Sequence, residues 1–93
     1  MPKSQYKFQF TANADNNFSI LNKQVQKRIL NKLYFFEKAP DPLSYAKKLK
    51  GVDNRFSFRI GDYRIIVTAK PSGELIILVI LKIRHRREVY NTD

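Results

Sequence analysis

One segment in the C-terminal third of the chain, residues 74 to 83, is apolar at almost every position. A strand with one solvated face alternates apolar and polar side chains, whereas a strand buried on both faces reads as a continuous apolar run. The run Glu74 to Ile83 therefore predicts the central strand of a sheet. A central strand needs neighbours along both of its edges.

The residues before this run predict two of those neighbours. From Arg55 to Ile60 the side chains alternate, with Phe56, Phe58 and Ile60 on one face of a strand and Arg55, Ser57 and Arg59 on the other. Gly61 and Asp62 are a two-residue hairpin signal. Tyr63 to Ala69 is the returning strand, and Lys70 to Gly73 predicts a second turn. These strands should form an antiparallel meander.

The N-terminal part predicts one more strand and two helices. Apolar Tyr6, Phe8 and Phe10 alternate with polar residues, which is typical of a half-buried strand. Thr11 is a candidate N-cap for a short helix over residues 11 to 20, although its three asparagines are weak helix formers.

A longer helix begins at a predicted cap, Asn22, and ends before Pro40 and Pro42. Its apolar residues recur at helical spacing: Val25, Ile29, Leu33 and Phe36. Asp41 to Asn54 reads as a basic surface connector. The predicted fold is one α+β domain over residues 1–93, with two N-terminal helices packed on an antiparallel sheet of about four strands.

Composition excludes several kinds of site. There are no cysteines and one histidine, so disulfides, thiolate metal sites and clusters of imidazole ligands are ruled out. The 18 Lys and Arg against 8 Asp and Glu give a net charge of +10, which favours polyanionic partners. The sequence opens without an apolar signal segment, and we expect a soluble cytoplasmic protein.

The hairpin places two like charges side by side. If Gly61 and Asp62 form the turn, Arg59 lies directly opposite Arg64, an arrangement that destabilises a ladder by up to about 1 kcal/mol. A bound phosphate would explain it, since guanidinium groups bind phosphate oxygens bidentately. Arg84 and Arg86 could complete the pocket. The alternative is a solvated basic face without a ligand.

Two further residues near the C-terminus could take part. Tyr90 could stack on an unpaired base or could close the core. His85 is a possible acid or base because its ordinary pKa lies near neutrality. Strand alternation, however, turns it away from Arg84 and Arg86, which favours a structural role.

Three motifs together resemble the RelE/ParE toxin superfamily of type II toxin–antitoxin systems. They are Lys48-Leu49-Lys50-Gly51, the segment Phe56 to Ile66 with its Gly-Asp-Tyr-Arg, and His85-Arg86-Arg87-Glu88-Val89-Tyr90. The resemblance covers nearly the whole chain. It implies a growth-arresting toxin with the RelE-like fold, neutralised by a cognate antitoxin with which it forms a hetero-oligomer.

In the RelE branch, the resemblance implies ribosome-dependent cleavage of messenger RNA without metal or cofactor. The 2′-hydroxyl of the RNA attacks the adjacent phosphate among lysines, arginines and a tyrosine. By position, the catalytic residues would be Arg59, Arg64, Arg84 and Tyr90. Candidate RNA-binding residues are Lys48, Lys50, Arg55, Arg86 and Arg87.

One position departs from the RelE pattern: the first lysine of the branch falls at Ser57. Serine cannot supply a cationic donor, and arginine is a poor general base. Lys50, His85, Tyr90 or ribosomal RNA remain open as proton acceptors.

Three functions therefore stay open from the sequence. They are an endoribonuclease acting in the ribosomal A site, a ParE-like inhibitor of DNA gyrase without catalytic residues, and a degenerate nucleic-acid-binding homologue. All three predict an acidic antitoxin partner.

Overall fold

The computed structural model describes residues 5–51 and 53–86. In chain order its elements are β1 (Tyr6–Phe10), α1 (Ala12–Ser19), α2 (Lys23–Lys38), a 3-10 helix (Pro42–Tyr45), β2 (Ala46–Lys48), β3 (Arg55–Ile60), β4 (Tyr63–Ser72) and β5 (Leu75–His85). The strands form one sheet in the order β1-β5-β4-β3-β2. The predicted α+β class is confirmed, and the apolar run forms β5, an interior strand with β1 and β4 as its neighbours.

The predicted sheet was wrong in two respects. The described strands number five rather than about four, and β1 pairs with β5 in parallel, from Tyr6 opposite Ile76 to Phe10 opposite Ile80. The additional strand, β2, lies inside the segment expected to be a connector. Three residues are too few to show the alternation that would have predicted it.

The second hairpin also lies further along than predicted. β4 continues through Pro71 to Ser72, which pairs with Leu75 across a turn at Gly73 and Glu74. The backbone N–H of Ala69 points toward β3 and donates to Asn54 O at 2.9 Å. Two residues further along, the missing N–H of Pro71 faces the same side, where β3 no longer extends. Proline costs no ladder hydrogen bond at such an edge position.

Both predicted helix caps are present. Thr11 Oγ1 accepts a hydrogen bond from Ala14 N at 3.1 Å, and Asn22 Oδ1 accepts one from Val25 N at 2.9 Å. These bonds satisfy N–H groups that a helix start leaves without a partner. Within the described residues, no helix is long and apolar enough to cross a membrane.

The two helices cover one face of the sheet. Ile29, Leu33 and Phe36 of α2 are buried against the sheet, where Phe36 and Phe58 lie with ring centroids 4.8 Å apart. The opposite face carries the odd-numbered residues of β3 and the even-numbered residues of β4. We call this second surface the open face.

A bulge in β5 determines which residues reach the open face. Ile66 lies opposite Lys82 but Val67 lies opposite Ile80, so Leu81 is an extra residue in β5. Before the bulge the core-facing residues are even-numbered, and after it Ile83 faces the core. Without the extra residue, Lys82 and Arg84 would point into the core.

Polar side chains of α1 satisfy the backbone around this bulge. Asn13 Nδ2 donates to Leu81 O at 3.0 Å, and Asn17 Oδ1 accepts from Ile83 N at 3.0 Å. The same asparagines made α1 a weak helix by propensity. Their tertiary hydrogen bonds give a physical reason for residues that local helix formation disfavours.

Candidate functional site

Three arginines lie in one row across the open face. Arg59 of β3 is directly opposite Arg64 of β4, as the two-residue turn predicts, and Arg64 is directly opposite Arg84 of β5. Residues directly opposite in an antiparallel pair have Cβ atoms about 4.5–5.5 Å apart on the same face. Three cationic groups therefore start from adjacent positions, which concentrates positive charge on the end of the sheet near the Gly61–Asp62 turn.

A small hollow lies at this end of the sheet. Its volume is about 40 Å³, and it is lined by Arg59, Gly61, Asp62, Tyr63, Arg64 and Arg86. One water needs roughly 10–15 Å³ of such space, so the hollow has room for a small anion. Two of the three arginines in the row contribute to its lining.

Among the described residues that line the hollow, Asp62 is the one with a carboxylate. Its Oδ1 lies 3.9 Å from Arg86 Nη1, with the two side chains 64% and 51% exposed. An exposed ion pair of this kind contributes about 0–1 kcal/mol. The backbone contact is firmer, because Arg86 N donates to Asp62 O at 2.7 Å. Arg86 is thereby fixed at the rim of the hollow, with its side chain half exposed.

Sequence reasoning missed two lysines on the open face. Lys47 of β2 lies opposite Ser57, and Lys82 of β5 lies opposite Ile66, in the row next to the arginines. The spacing of Lys82, Arg84 and Arg86 at every second residue could have indicated Lys82. Lys47 could not be assigned without knowing that β2 is a strand.

Ser57 lies between these lysines and is 5% exposed. Its hydroxyl has no hydrogen-bond partner within the described part of the chain. An unsatisfied buried polar group costs about 1–3 kcal/mol. The resemblance to the RelE branch predicts that its first lysine corresponds to this position.

His85 lies on the other side of the sheet from the arginine row. It pairs with Tyr63, and the two rings meet edge to face with centroids 5.1 Å apart. This agrees with the alternation that turned His85 away from Arg84 and Arg86.

The remaining predicted residues are spread more widely. Arg55 lies on the open face opposite Thr68. Lys48 pairs with Phe56, which places it on the helix-covered side at the sheet edge, and Lys50 is exposed beyond β2. Arg87 and Tyr90 lie outside the described residues. In the described ranges, no group of three or more His, Asp or Glu side chains is arranged to hold a metal.

Residues 8–90 match the family model described as ParE toxin of type II toxin–antitoxin system, parDE. The chain belongs to the ParE toxin family. It is therefore a toxin of a type II toxin–antitoxin system within the RelE/ParE superfamily, as its motifs predicted.

Solved structures of related toxins share its fold. The RelBE2 toxin–antitoxin complex from Mycobacterium tuberculosis contains a chain 26% identical to this toxin, with a TM-score of 0.69 over 88% of this chain and 99% of that one. A chain of the RelE–RelB complex from Pyrococcus horikoshii OT3 is 23% identical, with a TM-score of 0.65 over 88% of this chain and 96% of that one. The isolated Escherichia coli RelE toxin is 19% identical, with a TM-score of 0.64 over 92% of each chain. No curated protein sequence matches the toxin.

Proposed function

We propose that this toxin is an endoribonuclease that cuts messenger RNA in the ribosomal A site and so inhibits translation. The observation that supports it best is the row of Arg59, Arg64 and Arg84, of which the first two line the hollow. Like charges on adjacent strands oppose folding. A phosphate bound between them would offset that cost and would be the group on which cleavage acts.

The proposed reaction is a transesterification within the RNA. The 2′-oxygen forms a bond to the adjacent phosphorus, the bond from phosphorus to the 5′-oxygen of the next nucleotide breaks, and that oxygen takes up a proton. The products are a 2′,3′-cyclic phosphate and a 5′-hydroxyl. Guanidinium groups that converge on the phosphorus stabilise the negative charge that develops on its oxygens.

Each residue has a distinct part in this proposal. Arg59 and Arg64 bind the scissile phosphate, Arg84 adds positive charge at the end of the row, and Arg86 binds at the rim. Tyr90 stacks on a base near the cut. The RNA backbone on either side of the cut is bound by Lys50, Arg55 and Arg87, whereas Lys48, on the helix-covered side at the sheet edge, is poorly placed for this role.

The proton of the 2′-hydroxyl must leave to a group outside the arginine row, because arginine stays protonated. His85, on the other side of the sheet, is poorly placed for this role. Lys50, Tyr90 and ribosomal RNA remain the candidates. Positioning and charge stabilisation supply much of the rate in such a reaction.

The test uses purified toxin and bacterial ribosomes carrying a message with a defined codon in the A site. We expect a cut within that codon that leaves a 2′,3′-cyclic phosphate end. A message with a single 2′-deoxynucleotide at the cut should resist cleavage there. The proposal would be contradicted if the message with the 2′-deoxynucleotide were cut at that position. It would also be contradicted if the all-ribose message stayed intact on ribosomes shown to be active.

A second candidate function is inhibition of DNA gyrase. It is favoured by Ser57, which replaces a catalytic lysine of the RelE branch, and by the match to the ParE family model. In this case the toxin would leave the message on programmed ribosomes uncut and would block DNA supercoiling by purified gyrase. Running both assays on the same preparation separates the two functions.

We also propose that an acidic antitoxin neutralises the toxin. Related toxins have been crystallised in complexes with RelB antitoxins, and a net charge of +10 favours a partner rich in Asp and Glu. The expected assembly is a toxin–antitoxin hetero-oligomer.

A further inference from the structure

We propose that the outer side of α2 binds the phosphate backbone of a folded RNA. This surface, the α2 basic face, is an open groove of about 560 Å³ lined by Gln24, Lys27, Arg28, Asn31, Lys32 and Phe35. The inference rests on the proposed function, because it extends RNA binding from the hollow at the end of the sheet to the helix α2. Its RNA would be the ribosomal RNA around the A site.

The charges along α2 oppose helix formation. Lys23 and Lys27, and Arg28 and Lys32, are like-charge pairs at spacing i,i+4, each of which destabilises a helix by a few tenths of a kcal/mol. The first turn has no acidic residue. Within residues 5–51 and 53–86, Lys27, Arg28 and Lys32 have no carboxylate within ion-pair distance. The only acid of α2, Glu37, accepts a hydrogen bond from Phe8 N at 2.8 Å.

Arg28 connects this face to the hollow. Its Nη1 lies 3.2 Å from the point where a Cβ on Gly61 would stand. Gly61 also lines the hollow, beside Arg59 and Arg64. Positive charge therefore continues from the arginine row, past the hairpin turn, onto α2. One nucleic acid could contact both surfaces, because they share the turn.

The chemistry of the groove favours RNA over an acidic protein segment. Lysine and arginine are donors without acceptors, which suits phosphate and carboxylate oxygens alike, so the apolar content of the groove decides between the two partners. A protein segment would also bury apolar side chains, and the α2 basic face offers one large apolar side chain, Phe35, which is half exposed. The apolar groove beside α2 lies on another side of the helix, next to β1, and is lined in part by Phe8, Phe10, Leu30 and Tyr34.

The test compares two triple variants with equal loss of charge. Lys27→Gln/Arg28→Gln/Lys32→Gln neutralises the α2 basic face, and Gln is a similarly good helix former. The control, Lys7→Gln/Lys38→Gln/Lys70→Gln, removes three charges that lie outside the groove. Fluorescence anisotropy measures binding of intact toxin to a labelled RNA hairpin with a double-stranded stem, across a series of salt concentrations. Circular dichroism checks that each variant is folded.

We expect the affinity of the first variant for the hairpin to fall more than about tenfold. The slope of the logarithm of its binding constant against the logarithm of the salt concentration should fall in magnitude by about 2 to 3, because each phosphate contact contributes roughly 0.7–0.9. The control should keep nearly the wild-type slope. Equal losses in both variants would overturn the proposal, since the effect would then be general charge. The proposal also fails if the first variant matches the control on RNA but loses binding to poly-L-glutamate.

This measurement is independent of cleavage. Suppose that wild-type toxin leaves the message on programmed ribosomes uncut, while the two triple variants differ in their affinity for the RNA hairpin. The nuclease proposal then fails and the RNA-binding role of the α2 basic face is supported. If wild-type toxin cuts while the two variants bind alike, the nuclease proposal is supported and the face is excluded.

Discussion

Arg64 is the middle residue of the arginine row and has a cationic neighbour on each side. We expect Arg64→Gln to lower cleavage of programmed messages by about 10²–10³-fold, the usual cost of losing one charge-stabilising donor. It should also raise the free energy of unfolding by a few tenths to about 1 kcal/mol, because like-charge repulsion is relieved.

Urea unfolding and single-turnover cleavage measure the two effects of Arg64→Gln. Arg55→Gln is the control for stability, because Arg55 lies on the same face of β3 but opposite Thr68. A less stable Arg64→Gln protein that cuts normally would contradict the anion site.

His85 should not be the general base, because its ring packs on Tyr63 away from the arginine row. His85→Phe keeps an aromatic contact with Tyr63 and removes the titratable group. We expect its cleavage rate to change far less than the about 10²–10⁴-fold loss that follows removal of a general acid or base. A loss of that size, in a variant with wild-type thermal stability, would return His85 to the catalytic set.

At the scale of elements, the β5 bulge directs Lys82 and Arg84 to the open face, and α1 satisfies its backbone. Asn17→Ala removes the acceptor of Ile83 N–H. We expect the free energy of unfolding to fall by about 1 kcal/mol, because a lost hydrogen bond to a half-buried amide outweighs the about 0.5 kcal/mol gained in helix propensity. The cleavage rate should fall as well, because Arg84 is the residue after Ile83 and its position depends on the same backbone.

The control for Asn17→Ala is Asn16→Ala, one residue earlier on α1. The Asn16 side chain is exposed, so alanine there should raise the free energy of unfolding slightly through helix propensity alone. Equal effects of the two substitutions, measured by urea unfolding, would show that the bulge does not depend on α1.

Sequence patterns predicted the elements whose signals are local. The cap at Asn22, the turn at Gly61 and Asp62, and the interior position of β5 follow from spacing and turn chemistry. The opposition of Arg59 and Arg64 follows from the same turn. The parallel pairing of β1 depends on a contact about seventy residues away in the chain, which no local pattern encodes.

The part of the site contributed by β2 and α2 was missed for related reasons. Lys47 belongs to a strand of three residues, and Arg28 reaches the hairpin turn only through tertiary packing. On its own, Arg28 reads as an ordinary solvated helix residue. The open-face position of Lys82 follows from alternation with Arg84, whereas which face the pair occupies depends on the bulge.

For the whole molecule, the net charge of +10 makes self-repulsion a general cost of folding. Added salt should therefore raise the melting temperature by screening. At matched ionic strength, inorganic phosphate should raise it further than chloride, because an anion that binds the folded hollow stabilises the folded state by mass action.

Differential scanning fluorimetry measures this, and the additional effect of phosphate should shrink in Arg64→Gln. Identical shifts with phosphate and chloride in the wild-type toxin would mean that the hollow does not select a phosphate group.

The parallel pairing of the first strand with the last has a consequence for biosynthesis. In the described sheet Tyr6–Phe10 pairs with Leu75–His85, so about seventy further residues must be translated before this pairing can form. A nascent toxin thus cannot form this sheet, or align Arg84 with Arg64, until the chain has been translated through residue 85. The arginine row of the proposed nuclease is therefore assembled only after the ribosome has translated β5.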